Sequence, residues 1–136
     1  MFVLDASVSA AWLLNDESSA YADRLLKRLA AGVEAVVPAI WRYEMANVLW
    51  VGVRRERLAA ADAEQLSQWL AALPISVDPG SVEAVPVGVA NVAASYDLSI
   101  YDAAYLELAL RKGLPLATLD QRLASALKKA GVPLRK

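Results

Sequence analysis

MFVLDASVSAAWLL, residues 1–14, decides the fold class. Its apolar run Phe2–Leu4 has the length and composition of a buried strand and ends at Asp5. A helical pattern follows at once, with Ser7 as its expected N-cap and Leu14 as its end. A short strand that leads directly into a helix is the first half of a βαβ unit, in which the strands run parallel. The segment therefore predicts an α/β protein with a parallel sheet.

The same alternation of strand and helix continues along the chain. Further strand-like runs lie at 35–37, 74–77 and 114–118, and 132–134 is a candidate edge strand. Helical patterns are expected over 7–14, from Ser18 or Ser19 to Gly32, and over 40–53, 60–73, 82–96, 101–111 and 121–130. No repeat or long linker divides the chain. We therefore predict a single domain, residues 1–136, folded as a three-layer α/β/α sandwich with a mainly parallel sheet of four to five strands.

The composition excludes several classes of protein and of site. The chain of 136 residues is 57% hydrophobic and 21% charged, which is too apolar for disorder, and its net charge of −1 gives no overall basic field. It has no cysteine and no histidine, so disulfides and thiolate or imidazole metal sites are excluded. The longest apolar stretch, 84–94, contains Pro86 and Gly88 and is too short to span a membrane. Without a recognisable signal peptide, a soluble cytoplasmic protein is expected.

Four carboxylates occur where apolar runs lead into helices: Asp5, Glu44, Asp102 and Asp120. Ligands of open parallel sheets bind at the carboxyl ends of the strands, and helix starts point to the same crevice. The four side chains should therefore converge on one edge of the sheet. Buried ionised carboxylates need neutralisation, and an oxygen-only set of ligands favours Mg²⁺ or Mn²⁺. The pattern predicts a divalent metal site.

Each acid taken alone also has a structural interpretation. Asp5 could cap the first helix, although Ser7 already serves well there. Asp120 could be a helix N-cap, and Asp102 stands three residues after Ser99, as in a capping box. Glu44 fits such a role least, because it is the only charged residue between Tyr43 and Val53 on a helix that is apolar nearly all round. The prediction of a metal site thus depends on the set of four rather than on any single position.

Other polar residues have secondary roles in this prediction. Ser7 and Thr118 each lie two residues from a predicted ligand and could hydrogen-bond a carboxylate or a bound water, although cap and strand-surface roles fit them equally well. Asn47 could face the same edge, and Asp97 and Glu107 are expected in surface or supporting roles. The tryptophans and the tyrosines at 96, 101 and 105 are expected in the core or at an interface. The stripe Leu66, Trp69, Leu70 and Leu73 is expected in the core, with a partner groove as the alternative.

Three segments together resemble the PIN-domain ribonucleases of the VapC toxin type. They are MFVLDASVSAAWLL, VVPAIWRYEMANVLW and LSIYDAAYLELALRKGLPLATLDQRLASALKKAG. The resemblance implies that the acids at 5, 44, 102 and 120 build the metal site and that Ser7 and Thr118 support it. It also implies a five-stranded parallel sheet, a homodimer, and neutralisation by a small co-expressed antitoxin of the VapB type.

The mechanism that the residues and the resemblance together imply is metal-dependent hydrolysis of RNA phosphodiesters, with Asp5 and Asp102 as principal ligands and Glu44 and Asp120 completing a second metal site or orienting the water. The lack of histidine removes the metal-free route through an imidazole pair. A haloacid dehalogenase-type phosphatase would need a second Asp where Ser7 stands, and a receiver domain would need an adjacent acidic pair and a late lysine. A non-catalytic metal-bound scaffold and a housekeeping PIN nuclease without an antitoxin remain open alternatives.

Overall fold

The centre of the fold is a parallel sheet of four short strands. The computed structural model describes residues 1–14 and 19–136. The strands are β1 (Phe2–Leu4), β2 (Ala35–Val37), β3 (Ile75–Val77) and β4 (Leu116–Ala117), in the order β3-β2-β1-β4. Every pairing is parallel. The predicted parallel sheet is confirmed, although β4 is shorter than the run 114–118 suggested.

The fifth strand implied by the family resemblance is reduced to a single bridge. Leu134 pairs with Leu116 in parallel, through bonds from the Leu116 N–H to the Pro133 carbonyl and from the Arg135 N–H to the Leu116 carbonyl. Proline has no N–H to give to a neighbouring strand, so Pro133 limits the pairing to this bridge. Within the described residues the sheet therefore has four strands, not five.

Seven α-helices surround the sheet in the described residues. They are α1 (Ala6–Leu13), α2 (Ala20–Ala30), α3 (Ile40–Arg54), α4 (Ala60–Ala72), α5 (Ala90–Tyr96), α6 (Ile100–Lys112) and α7 (Gln121–Ala130). Ser19 caps α2 as predicted, while the alternative start at Ser18 lies outside the described residues. No helix in the described ranges is both long and apolar enough to cross a membrane.

The strand order places the helices on two faces. The chain steps from β1 to β2 to β3 in one direction and then returns past β1 to β4. Because such crossovers are right-handed, α1 to α4 cover one face and α5 and α6 the other. The helix contacts agree: α1 packs on α2 and α3, and α3 on α4, whereas α6 packs on α5, α7, β1 and β4. The predicted three-layer sandwich is confirmed, and the direction in which successive strands are added to the sheet reverses between β1 and β4.

Two predicted helices differ from the structure. The pattern over 82–96 is not one helix, because a π-helical turn at Val85–Val89 precedes α5. Pro86 lacks an N–H, and the turn closes by a bond from the Val89 N–H to the Ala84 carbonyl, five residues back. In the predicted core stripe on α4, Leu70 is buried, Leu66 and Leu73 are partly buried against the core, and Trp69 is 37% exposed. The helix packs mainly against α3, and Trp69 meets Trp12 of α1 edge to face with ring centroids 6.4 Å apart.

Candidate active site

Asp5 lies at the carboxyl end of β1, and its carboxylate is held by hydroxyl groups. Its Oδ2 accepts hydrogen bonds from the Ser7 hydroxyl at 2.6 Å, the Thr118 hydroxyl at 2.8 Å and the Ser7 backbone N–H at 3.4 Å. The backbone bond makes Asp5 the N-cap of α1, so the prediction that Ser7 caps this helix is wrong. The Ser7 side chain instead donates to Asp5. These bonds fix the rotamer of a carboxylate that is only 5% exposed and use one of its two oxygens.

The two hydroxyl groups also tie the end of β1 to the segment after β4. Ser7 Oγ accepts from the Leu119 N–H at 2.9 Å, and Thr118 Oγ1 accepts from the Asp120 N–H at 3.0 Å. The two hydroxyl oxygens lie 3.3 Å apart. Ser7 and Thr118 thus contact Asp5 as the sequence suggested, and they do so where the sheet order reverses, which is where open α/β sheets bind ligands.

Glu44 belongs to α3, which follows β2, and so it approaches the site from the side of β1 that is opposite to β4. Its Oε1 accepts a hydrogen bond from the Tyr105 hydroxyl of α6 at 2.6 Å. The apolar sequence around Glu44 suggested a helix buried on all sides, but one face of α3 is exposed to water. Trp41, Met45 and Leu49 bury one face, whereas Tyr43 is 75% exposed and Trp50 is 59% exposed on the other. Glu44 itself is half-buried between these faces.

Asp102 and Asp120 lie at the N-termini of α6 and α7, where both take part in the helix capping that their sequence context predicted. The Asp102 N–H donates to the Ser99 hydroxyl at 3.1 Å, which caps α6. Asp120 is the N-cap of α7, since its Oδ1 accepts from the Leu123 N–H at 2.9 Å. Both side chains are half-buried. Capping and site formation are compatible here because each helix starts at the carboxyl edge of the sheet.

Charge repulsion connects the four carboxylates, hereafter the acidic rim: Glu44 is repelled by Asp5 and Asp102, and Asp102 by Asp5 and Asp120. Burial raises the pKa of Asp5 against the hydrogen bonds from Ser7 and Thr118. Burial also raises the pKa of Glu44, which repulsion by Asp5 and Asp102 raises further while the Tyr105 bond opposes it. The pKa of Asp102 is raised by burial and by the charges of Asp5 and Asp120. The four predicted residues therefore lie within range of one another's charges at the carboxyl edge of the sheet.

In the described residues the charge of Arg122 lowers the pKa of Asp102, but burial and the charges of Asp5 and Asp120 outweigh it. Across residues 1–14 and 19–136, the ion pairs that the structure contains join Arg111 and Lys112 to Asp78 or Glu107, and Arg122 to Asp97, and none reaches the rim. In the same ranges, no three acids stand close enough to form a ready-made metal site. Like charges without a counterion repel, so the rim is an open set of oxygens rather than a closed cage.

The donor set fits a hard divalent cation. All candidate ligands are carboxylate oxygens, which suit Mg²⁺ and Mn²⁺. Two of the carboxylates, Asp5 and Glu44, each have one oxygen anchored by hydroxyl donors, as ligating carboxylates commonly do. The raised pKa values also mean that a cation would relieve both repulsion and desolvation. Asp5, Glu44, Asp102 and Asp120 would hold such an ion.

A second group of buried acids lies outside the rim, and the sequence did not identify it. Asp78, directly after β3, is 3% exposed and pairs with Arg111 at 2.7 Å and Lys112 at 3.5 Å. Glu107 is 6% exposed and pairs with Arg111 at 2.6 Å, so the expected surface position for Glu107 is wrong and a supporting one fits. We name these four residues the Arg111 cluster. The turn sequence Asp78-Pro79-Gly80 was a visible signal for Asp78, but its partners are distant in sequence.

The remaining predicted residues take other positions. Asn47 lines a depression with Leu14, Val51 and Arg55 rather than with the rim. Asp97 is exposed and accepts from Arg122, as expected of a surface acid. Tyr105 was expected in the core and is buried there, but the sequence argument missed its bond to Glu44. Its spacing of three residues from Asp102 on one helix was the available signal.

Comparison with known proteins gives one family. The model of the PIN domain matches residues 2–129. Ribonuclease VapC3 of Pyrobaculum aerophilum is 33% identical over 126 residues, which are 90% of this chain and 91% of the relative. Ribonuclease VapC9 of Mycobacterium tuberculosis is 34% identical over 126 residues, which are 91% of this chain and 89% of the relative. The crystal structure of PAE2754 from Pyrobaculum aerophilum superposes with a TM-score of 0.66 at 28% identity, over 92% of this chain and 84% of that one.

Proposed function

This chain belongs to the PIN-domain family, and from that premise we propose that it is a metal-dependent endoribonuclease, the toxin of a toxin–antitoxin pair. Its similar relatives are named ribonucleases of the VapC type, and the matches extend over nine-tenths of the chain. RNA is the proposed substrate, and the cytoplasm is the proposed place of action. The toxin role and the metal go beyond the family assignment and are tested below.

The observation that carries the proposal is a set of partly buried carboxylates that form no ion pair with Lys or Arg in the described part of the chain. Desolvation and repulsion make the charged rim unfavourable in the metal-free protein. A protein that needed these acids only for stability would gain by pairing them with Lys or Arg, as the Arg111 cluster does. Sites that bind a ligand commonly keep such a charge imbalance for the ligand to resolve.

In this proposal the residues of the chain bind the metal ions and orient one of the ligands. Asp5, Glu44, Asp102 and Asp120 would hold one or two Mg²⁺ or Mn²⁺ ions. A bound ion supplies Lewis acidity toward the phosphodiester and lowers the pKa of a water. Ser7 and Thr118 keep the Asp5 carboxylate in one orientation, and Asp5 and Thr118 are themselves buried. Without histidine, no imidazole is available to transfer the proton.

The direct test replaces Asp5 by Asn and measures cleavage of a mixed RNA panel with Mg²⁺ or Mn²⁺. We expect RNA cleavage by Asp5→Asn to fall at least about 100-fold, because loss of one electrostatic stabiliser in an active site commonly costs 10²–10³-fold. Asp62→Asn is the matched control, since Asp62 is exposed on α4, and it should cut like the wild type. Cleavage by Asp5→Asn at the wild-type rate would refute the proposal. A wild type that binds Mn²⁺ but cuts no RNA would favour a non-catalytic scaffold.

We further propose that a VapB-type antitoxin covers the apolar surface of α3 beside the rim and reaches the carboxylates with a basic side chain. A groove of about 120 Å³ between α3 and α4 is lined by Trp41, Met45 and Leu49 of α3 and Leu70 of α4. On the opposite, solvent-facing side of the same helix, which also carries Glu44, Tyr43 and Trp50 add a second exposed apolar surface. Exposed apolar surface next to an unneutralised acidic site suits an amphipathic helix with one cation.

Co-expression with the neighbouring reading frame tests the partner. We expect a short protein to co-purify and to suppress cleavage, and Trp50→Ala to weaken the complex while leaving cleavage by the free chain unchanged. A homodimer, also proposed, is checked by light scattering of the chain alone. A chain that is fully active in the presence of its neighbour's product would contradict the toxin–antitoxin role.

A further inference from the structure

Tyr105 connects the two helical layers of the molecule at the acidic rim. It belongs to α6, one turn after Asp102, and its hydroxyl donates to Glu44 Oε1 of α3 at 2.6 Å. By the crossover argument, α3 and α6 cover opposite faces of the sheet. The bond therefore spans the carboxyl edge of the sheet and joins the helix that carries Glu44 to the helix that carries Asp102.

We propose that Tyr105 is a positioning residue, whose hydroxyl holds the Glu44 carboxylate in the orientation that binds the metal ion. This inference depends on the proposed metal-dependent function and adds to it a residue that is not itself a ligand. Tyr105 acts through Glu44 and does not need to touch the ion or the RNA.

The surroundings of the hydroxyl argue against a purely space-filling role. Tyr105 is 1% exposed and packed in the core, where a Phe would fill the same volume without a polar atom to satisfy. A buried hydroxyl needs a partner, and within the described part of the chain its partner is a half-exposed carboxylate that water could otherwise solvate. The bond thus does more for the position of Glu44 than for the stability of the core.

Glu44 needs such an anchor. Its side chain has several rotatable bonds, stands half-exposed on α3, and is repelled by Asp5 and Asp102. Without a donor on the inner side, repulsion and rotamer entropy would both favour a conformer directed toward solvent. The Tyr105 bond uses Oε1 and leaves the other oxygen without a hydrogen bond from the described residues. Asp5 shows the same arrangement, with Oδ2 held by Ser7 and Thr118.

The test compares Tyr105→Phe with the wild type by titrating Mn²⁺ in a calorimeter. We expect the affinity for Mn²⁺ to fall about 10- to 100-fold, the usual effect of removing an outer hydrogen bond to a metal ligand. At limiting Mn²⁺ the kcat for RNA should fall while KM for RNA stays unchanged. Tyr96→Phe, at the half-exposed end of α5, is the matched control and should bind Mn²⁺ like the wild type.

A double-mutant cycle with Glu44→Gln separates positioning from general stability. If Tyr105 acts through the Glu44 carboxylate, Tyr105→Phe has no further effect on Mn²⁺ affinity in the Glu44→Gln background. Equal losses in both backgrounds would overturn the inference, and so would an unchanged affinity in Tyr105→Phe alone.

The outcomes also distinguish this inference from the function beneath it. A wild type that neither binds Mn²⁺ nor cuts RNA removes both, whereas a wild type that does both, together with an unaffected Tyr105→Phe, removes only the positioning role. If Tyr105→Phe does not fold, a crystal structure of the Mn²⁺-loaded wild type decides. Glu44 bound to the ion and still bonded to Tyr105 supports the inference, and Glu44 bound to the ion after leaving Tyr105 overturns it.

Discussion

The molecule contains two groups of buried acids that solve the same electrostatic problem in opposite ways. In the Arg111 cluster, the guanidinium of Arg111 lies between Asp78 and Glu107, with Lys112 close by. Burial alone would raise the pKa of Asp78, but the bonds and charges of Arg111 and Lys112 outweigh it and hold that pKa below its ordinary value. In the acidic rim, the pKa values of Asp5, Glu44 and Asp102 are raised instead.

The difference indicates what each group contributes. Neutralised acids stabilise the fold, because their charges are compensated in the native state and not in the unfolded chain. Unneutralised acids store an unfavourable charge that a cation can relieve. Variants in the two groups should therefore have opposite effects on stability and activity.

The largest effect should come from Asp102→Asn in the rim. We expect RNA cleavage to fall at least about 100-fold, as for other losses of an electrostatic stabiliser. The unfolding free energy of the metal-free protein should stay equal or rise, because the substitution removes repulsion with Asp5 and Asp120. Cleavage assays and urea unfolding with a chelator measure both quantities. A variant that is destabilised and still active would contradict the comparison.

Arg111→Met should have the converse effect in the other cluster. It leaves the Asp78 and Glu107 carboxylates buried without the guanidinium between them. We expect the unfolding free energy to drop by about 2 kcal/mol. This is less than the cost of breaking a fully buried ion pair, because Arg111 is partly exposed. Cleavage per folded molecule should match the wild type. Chemical denaturation gives the first quantity and activity at low temperature the second. An unfolding free energy of Arg111→Met equal to that of the wild type would show that solvent, and not Arg111, compensates the charges of Asp78 and Glu107.

Thr118→Val should sharpen the comparison within the rim. The substitution keeps the shape at the end of β4 but removes the hydroxyl that donates to Asp5 at 2.8 Å and accepts from the Asp120 N–H at 3.0 Å. We expect the affinity for Mn²⁺ to fall about 10-fold, the lower end for such supporting bonds. Calorimetric titration is the measurement, with Ser125→Ala on α7 as the control. An unchanged affinity would limit Thr118 to a structural role.

The smallest and most diagnostic effect concerns pH in the metal-free protein. The pKa of Asp5 is raised above 3.8 by burial, so the folded state binds the proton first and the unfolding free energy rises as pH falls toward that value. At neutral pH the metal-free Asp5→Asn protein should have a higher unfolding free energy than the wild type, and this difference should shrink on acidification. The pKa of Asp78 is lowered from 3.8, so its contribution to stability is present above that value and is lost as pH falls through the folded pKa. Urea unfolding of the wild type, Asp5→Asn and Asp78→Asn across pH should show differences from the wild type that change with pH in opposite directions, and changes in the same direction would refute the distinction.

Much of the fold was readable from local patterns. The strands at Phe2–Leu4 and Ala35–Val37 and the helix Gln121–Ala130 have the predicted bounds, because buried strands and well-capped helices leave unambiguous signals. The segment 82–96 was misread, since Pro86 permits a π-helical turn that periodicity does not reveal. The cap of α1 was also misassigned, because Asp5 and Ser7 are both good caps and in the fold the Ser7 hydroxyl donates to Asp5 and accepts from the Leu119 N–H.

By itself the sequence determined that four acids follow apolar runs and predicted that they lie at one edge of the sheet. The reason is that parallel strands all end at the same edge and the helices that follow them begin there. Only the tertiary structure decided which cations stand beside which acids. Arg111 reaches Asp78 across 33 residues and Tyr105 reaches Glu44 across 61, and neither distance leaves a periodic trace in the chain. Charge compensation is a property of neighbours in space, and so the contrast between a neutralised cluster and an open acidic rim exists only in the folded protein.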